Sequence, residues 1–239
     1  MSDLKKVLIG SPIHQTLDIL KEFLISLKEL DKSNFDISYY FIDDNIEEIS
    51  SDYLKYFKES EKNYDLNIMK VGQTLTDITS KALSSLDRVM KEVNPDLVLV
   101  HEDTTTTFVG GLSAFYNKAM IGHVEAGLRT YDKYSPFPEE VNRQLTGILA
   151  DIHFAPTEHA KENLLKEGKD INKIFVTGNT AIDALNTTVS DDYYHEVLDK
   201  LKDDRMILLT AHRRENLGEN MYSMFRAIKR IVMNSKMFK

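Results

Sequence analysis

The densest group of side chains able to do chemistry is His101-Glu102-Asp103-Thr104-Thr105-Thr106-Thr107, which follows the apolar run Leu97-Val98-Leu99-Val100. Threonine hydroxyls and free backbone N–H groups at a helix entry can hold an anionic ligand, or can simply cap the helix with Asp103. A second group is Gly122-His123-Val124-Glu125-Ala126-Gly127-Leu128-Arg129-Thr130. A carboxylate between a strand and a glycine-bearing loop projects well into a cleft, although Glu125 and Arg129 can equally form an ion pair. In Ser135-Pro136-Phe137-Pro138-Glu139-Glu140 the prolines fix a loop, and Pro138 suits a helix start. The helix dipole by itself accounts for carboxylates at Glu139 and Glu140. The last group is Ala211-His212-Arg213-Arg214-Glu215-Asn216. Two arginines suit an anion such as a diphosphate, and His212 is available as acid or base; the bland alternative is an exposed basic turn.

These groups need a scaffold, and the chain alternates short apolar runs with segments of helical period. Val7–Gly10, Ile37–Ile42, Leu97–Val100, Met120–Val124, Ile152–Ala155 and Ile174–Thr177 read as strands. Leu17–Leu30, Leu75–Val93, Phe108–Asn117, Glu139–Ala150 and Glu158–Glu167 read as helices, with Asn94-Pro95 a stop signal. The wholly apolar Leu97–Val100 marks a parallel strand covered on both faces. The pattern predicts an α/β fold: a Rossmann-like, doubly wound, mostly parallel sheet. In such sheets ligands sit beyond the carboxyl ends of strands, where Asp103, Glu125 and Gly178 fall. Gly110-Gly111, inside a helical segment, reads as close packing.

Residues 1–180 are expected to form this first domain, residues 181–204 a polar helical connector, and residues 205–239 the start of a second Rossmann-like unit. In that unit Met206–Thr210 is the expected strand and Met221–Val232 the expected helix. With 239 residues and 42% hydrophobic content, the chain holds one sizeable core and part of another.

Composition removes several function classes. A formal net charge of −8 argues against a broad nucleic-acid surface, which needs clustered cations. There is no cysteine, so disulfides, thiolate catalysis and cysteine-based zinc sites are excluded. No metal constellation stands out, and the spacing of His153 and His159 is wrong for a helical pair of ligands. There is neither a dinucleotide-binding glycine motif nor a Walker motif. No apolar run reaches the roughly 20 residues a bilayer requires, and the expected location is the cytoplasm.

Taken in order, YDLNIM (Tyr64–Met69), GQTLTDIT (Gly72–Thr79), PDLVLVHEDTTTT, GHVEAGLRT, YSPFPEEVNRQLTG, FAPTE, IFVTGNTAIDAL and TAHRREN resemble the non-hydrolysing UDP-N-acetylglucosamine 2-epimerases. The resemblance spans about Tyr64 to Asn220. It implies two Rossmann-like domains facing across a cleft in the GT-B manner, usually in a homodimer. It also implies interconversion of UDP-N-acetylglucosamine (UDP-GlcNAc) and UDP-N-acetylmannosamine (UDP-ManNAc) for cell-surface polysaccharide synthesis, with no cofactor. Carried over by motif, the catalytic carboxylates fall on Asp103, Glu125 and Glu139 and the cleft histidine on His212. Thr104, Thr105, Arg129, Arg213 and Arg214 are then candidate substrate contacts. The chemistry suits the residues: loss of UDP across C1–C2 leaves a glycal, and re-addition after protonation on the other face gives the epimer.

The sequence departs from that pattern in three places. Gly10-Ser11-Pro12-Ile13-His14-Gln15 lacks the arginine and lysine expected after the first strand. This opening resembles instead the start of a family 2 nucleotide-sugar glycosyltransferase, with a join between about Asn45 and Tyr64. Glu102 stands where the family usually has glycine, adding bulk and negative charge beside Asp103. The serine-glycine-glycine loop and the further uridine-diphosphate contacts of the second domain are not in this sequence, so the chain is expected to be a truncated member, either an epimerase or, as the alternative, an inactive remnant or nucleotide-sugar-binding module of the family.

Overall fold

The structure is a computed structural model that describes residues 4–13, 17–30, 32–43, 50, 52, 54, 57, 62–70, 72–180, 182–183, 185, 189, 193–201, 206–211 and 218–234. Strand β1 (Lys5–Ile13) leads through helix α1 (Leu17–Lys28) to β2 (Phe35–Asp43) and the short β3 (Asn63–Asp65). Then follow α2 (Leu75–Val93), β4 (Leu97–His101), α3 (Thr105–Tyr116) and β5 (Met120–Val124). Next come α4 (Glu139–Leu149), β6 (Ile152–Ala155), α5 (Glu158–Lys166), a 3-10 turn at Ile171–Lys173 and β7 (Ile174–Val176). Helices α6 (Glu196–Leu201) and α7 (Glu219–Asn234) complete the described elements.

The seven strands lie in the order β3-β2-β1-β4-β5-β6-β7, and every pair is parallel. The order reverses between β1 and β4, which is the doubly wound arrangement expected from the sequence, and the carboxyl ends of β4 and β5 border that switch point. β3 has only three residues and no periodicity of its own, and it was not among the expected strands.

Local chemistry explains the element boundaries near the site. Helix α2 opens with a capping box: the Thr74 hydroxyl accepts from the Asp77 N–H at 3.1 Å, and the Asp77 carboxylate accepts from the Thr74 N–H at 2.9 Å. It closes at Asn94, whose positive φ of 50° ends the helix before Pro95. Its buried face, Ala82, Leu86, Val89, Met90 and Val93, joins Leu8, Val98, Val100, Val109 and Ile121 in the largest core cluster. Gly110 packs as expected: a Cβ there would run into the Tyr40 hydroxyl and come within 3.0 Å of Val100 Cγ1. A second cluster, with Leu20, Leu24, Tyr39, Phe41 and Phe57, covers the β1–β2 side.

The expected strand at Met206–Thr210 is not one. These residues are exposed, Leu208 by 85%, and no described strand lies beside them. An apolar run becomes a strand only where a neighbour takes up its N–H and C=O groups. The helix expected at Met221–Val232 is present as α7, with no buried residue. Of the expected connector, α6 is described and most of residues 181–192 lie outside the described residues.

Candidate active site

Two successive strands end in the same way. After β4, Glu102 takes a left-handed φ of 65°, and after β5, Glu125 takes a φ of 65°. Left-handed backbone at a residue other than glycine is uncommon and gathers at functional sites. The Glu102 N–H donates to the Val124 carbonyl at 3.1 Å, joining the first turn to β5, and the Ala126 N–H donates to the Phe154 carbonyl at 3.0 Å, joining the second to β6. At Gly127, φ is 92° and a Cβ would strike the Ala160 carbonyl, so this position requires glycine.

The turns bring together side chains that are far apart in sequence. His101 Nε2 lies 3.5 Å from Glu125 Oε2 and 3.4 Å from the Thr180 hydroxyl. The Asn179 amide donates to Glu125 Oε1 at 3.2 Å. Arg143, from α4, places Nη1 3.4 Å from Asp103 Oδ2 and Nη2 2.9 Å from Glu140 Oε2. Burial lifts the Asp103 carboxyl strongly; the Arg143 guanidinium opposes this, and the charges of Glu102, Glu139 and Glu125 add to it, leaving the pKa at about 6. Glu125 moves the other way: its hydrogen bond with His101 holds it ionised against burial. For His101, burial favours the neutral ring, but the hydrogen bond to Glu125 and the charges of Glu102, Glu125 and Asp103 outweigh it, so its pKa is raised. The site therefore sets a carboxyl that exchanges its proton near pH 6 beside a carboxylate held ionised by the neighbouring His101 ring.

The other expected site residues have varied surroundings. Thr104 caps α3, its hydroxyl accepting from the Thr107 N–H at 3.3 Å, so the helix-cap role holds for Thr104 but not for Asp103. Thr105 is the first residue of α3 and half-buried. Arg129 does not pair with Glu125, nor is it free to grip a ligand. Its side chain is fully buried, donating to Glu167 through Nε at 2.7 Å and Nη2 at 2.8 Å and to the Leu128 carbonyl through Nη1 at 2.7 Å. Glu139, the first residue of α4, is half-buried and contributes its negative charge to the Asp103 environment. His212, Arg213 and Arg214 lie outside the described residues.

Sequence reasoning missed His101 as a partner of Glu125, and it missed Arg143, Asn142, Asn179 and His123. For α4 a signal existed: from Glu139, positions three and four further on share its face, and these are Asn142 and Arg143. Among the described residues, His101, Glu102 and Glu125 each offer a ligand atom, all within 4.8 Å of one another. Glu140 lies in the first turn of α4, as the dipole reading expects, and is fully buried. It accepts the Thr130 and Tyr131 N–H groups at 3.1 and 3.0 Å and the Gln144 amide at 2.8 Å.

A profile of the family described as UDP-N-acetylglucosamine 2-epimerase matches residues 40–239. A protein of that name from Bacillus subtilis is 68% identical over 170 residues, 71% of this chain and 45% of the relative. Its namesake from Neisseria meningitidis is 48% identical over 199 residues, 80% of this chain and 53% of the relative. The chain thus spans about half the length of these curated relatives. A Listeria monocytogenes crystal structure titled as a putative UDP-N-acetylglucosamine 2-epimerase superposes with a TM-score of 0.81 at 49% identity, covering 98% of this chain and 60% of that one. The superposition takes in the opening strand and helix as well. The sheet order, the motif-bearing strand ends and the match over residues 40–239 place this chain in the UDP-N-acetylglucosamine 2-epimerase family.

Proposed function

We propose that the site at the ends of β4 and β5 supplies the acid–base half of a UDP-GlcNAc/UDP-ManNAc epimerisation. One observation carries this reading: on neighbouring strand ends, Asp103 is lifted to a pKa of about 6 while Glu125 is held ionised by His101. Paired groups whose environments push their pKa values apart are the signature of divided acid and base roles. The ligand class comes from relatives: a Neisseria meningitidis epimerase was solved with UDP-GlcNAc and a Staphylococcus aureus relative with UDP.

The reaction then runs in two stages. Asp103, ionised, removes the C2 proton as the C1–O bond breaks and UDP leaves with the bonding pair, giving a glycal. The His101–Glu125 pair returns a proton to the opposite face of C2: His101 gives up its proton and the UDP oxygen attacks C1. In the reverse direction the two groups exchange tasks. Glu139 sits at the edge of this cluster and tunes Asp103 by its charge. Arg143 is engaged by Asp103 and Glu140, and Arg129 by Glu167, so the grip on the diphosphate is assigned to His212, Arg213 and Arg214. Residues 1–180 form the acid–base wall, residues 181–204 the connector and residues 205–239 the start of the facing wall. The working assembly is a homodimer in the cytoplasm.

The test is incubation of the chain with UDP-GlcNAc in deuterium oxide. Deuterium at C2 in both sugar nucleotides supports the reading. A chain that binds UDP yet exchanges no C2 hydrogen contradicts it and favours a nucleotide-sugar-binding role.

A further inference from the structure

The β4–β5 ladder ends at His101 opposite Val124. There the chain leaves β4 for α3 through residues 101, 102 and 103, whose carbonyls all accept from side chains. Each is met by a side chain from a different place. The Thr107 hydroxyl, in the first turn of α3, donates to the His101 carbonyl. His123 Nε2, from β5, lies 2.8 Å from the Glu102 carbonyl. The Asn142 amide, from α4, donates to the Asp103 carbonyl at 2.9 Å. Thr107 is 2%, His123 0% and Asn142 7% exposed, so these bonds are made away from water, where a donor's loss is not readily replaced.

We propose that Thr107, His123 and Asn142 are positioning residues: together they lock the backbone of residues 101–103 and so fix where the Asp103 carboxyl stands relative to Glu125. The inference rests on the acid–base reading of Asp103 given above. His123 shows the arrangement most clearly. A carbonyl only accepts, so the ring carries its proton on Nε2, and its buried Nδ1 has no hydrogen-bond partner among the described residues. The donor to Glu102 is kept although the other ring nitrogen goes unsatisfied. The residue held this way is the one with φ of 65°, a conformation that needs outside support when the side chain is not glycine.

His123→Met and Asn142→Leu remove a donor at nearly constant volume, and His123→Gln keeps an N–H near the position of Nε2. Two measurements are made on the full chain. The first is hydrogen exchange at the Glu102 amide, which bonds to Val124. It is expected to quicken about tenfold or more in His123→Met and Asn142→Leu, to stay near the native rate in His123→Gln, and to leave core amides of β1 unchanged. The second is turnover: kcat is expected to fall roughly 10- to 100-fold with KM changed less than about twofold, because misplacement of a reacting group acts on the chemical step. Gln at 123 is expected to restore most of it.

Unchanged exchange at Glu102 in both donor-less variants overturns the proposal, as does native kcat in a variant whose exchange has quickened. If the native chain shows no epimerisation, the acid–base reading fails separately, and the exchange measurement alone decides whether the lock exists. Should His123→Met fail to fold, Asn142→Leu, on the helix side of the turn, decides in its place.

Discussion

At the scale of single residues, the proposed chemistry turns on Asp103. Its folded pKa of about 6 stands above the ordinary carboxyl value of 3.8, so ionisation within the fold is unfavourable. A raised acid costs stability that is absent below the unfolded pKa, grows between about pH 4 and 6, and is complete above pH 6. Asp103→Asn is therefore expected to raise stability by about 1–2 kcal/mol at pH 8, after allowance for partial exposure, and by almost nothing at pH 4. Urea unfolding at the two pH values measures it; an equal effect at both would refute the assignment. Glu102 supplies a companion prediction. Glycine adopts its φ of 65° without strain, so Glu102→Gly should stabilise the fold by about 1 kcal/mol. It should also lower the pKa of Asp103, because one of the charges raising it is removed. In a pH–rate profile the limb near 6 would move to lower pH; an unmoved limb would assign that limb to another group.

At the scale of elements, α4 and the loop before it form one unit through Glu140. This buried carboxylate ties the Thr130 and Tyr131 amides to the helix and holds Arg143, which in turn faces Asp103. Burial opposes ionisation, but Gln144, the two amides and Arg143 outweigh it and keep Glu140 charged. Glu140→Ala is expected to cost about 3 kcal/mol, since it removes the buried Arg143 guanidinium's shorter ion pair and strands two backbone donors, and Glu140→Gln less. A loss below about 1 kcal/mol by denaturant unfolding would show that water replaces these bonds. How legible each element was depends on the kind of interaction behind it. Helix α2 announces itself through Thr74, Asp77 and Asn94-Pro95, all local, and its bounds match the expected Leu75–Val93. The positions of Asp103 and Glu125 just past β4 and β5 were legible because strand ends are local too. The loop partners of Glu140 were not legible because they lie nine and ten positions away, nor was the pairing of His101 with Glu125, which joins neighbouring strands. Such pairings come from sheet order rather than periodicity, and Arg129 shows the same: its partner is Glu167, not the neighbouring Glu125.

At the scale of the whole molecule, burial divides the chain. The sheet from β1 to β7 and its covering helices hold the buried residues, whereas no described residue from Thr177 to Asn234 is buried. Helix α7 is amphipathic, with Met221, Met224 and Ile228 half-buried on one face, yet Tyr222, Phe225 and Val232 remain 60%, 40% and 39% exposed. Among the described residues the stabilising area thus lies almost wholly in the first unit, because burial of apolar surface scales with what is removed from water. Removing residues 206–239 should then shift the free energy of unfolding by no more than about 0.5 kcal/mol and leave the urea midpoint in place. The dependence of unfolding on urea should also hold nearly steady, since the slope follows the surface newly exposed and this segment contributes little. A lowered midpoint would instead show the segment packing on the sheet and sharing its cooperativity. UDP binding separates the two units by function: if His212, Arg213 and Arg214 grip the diphosphate, the shortened chain keeps its fold and loses nucleotide affinity, read by calorimetry alongside the unfolding curve.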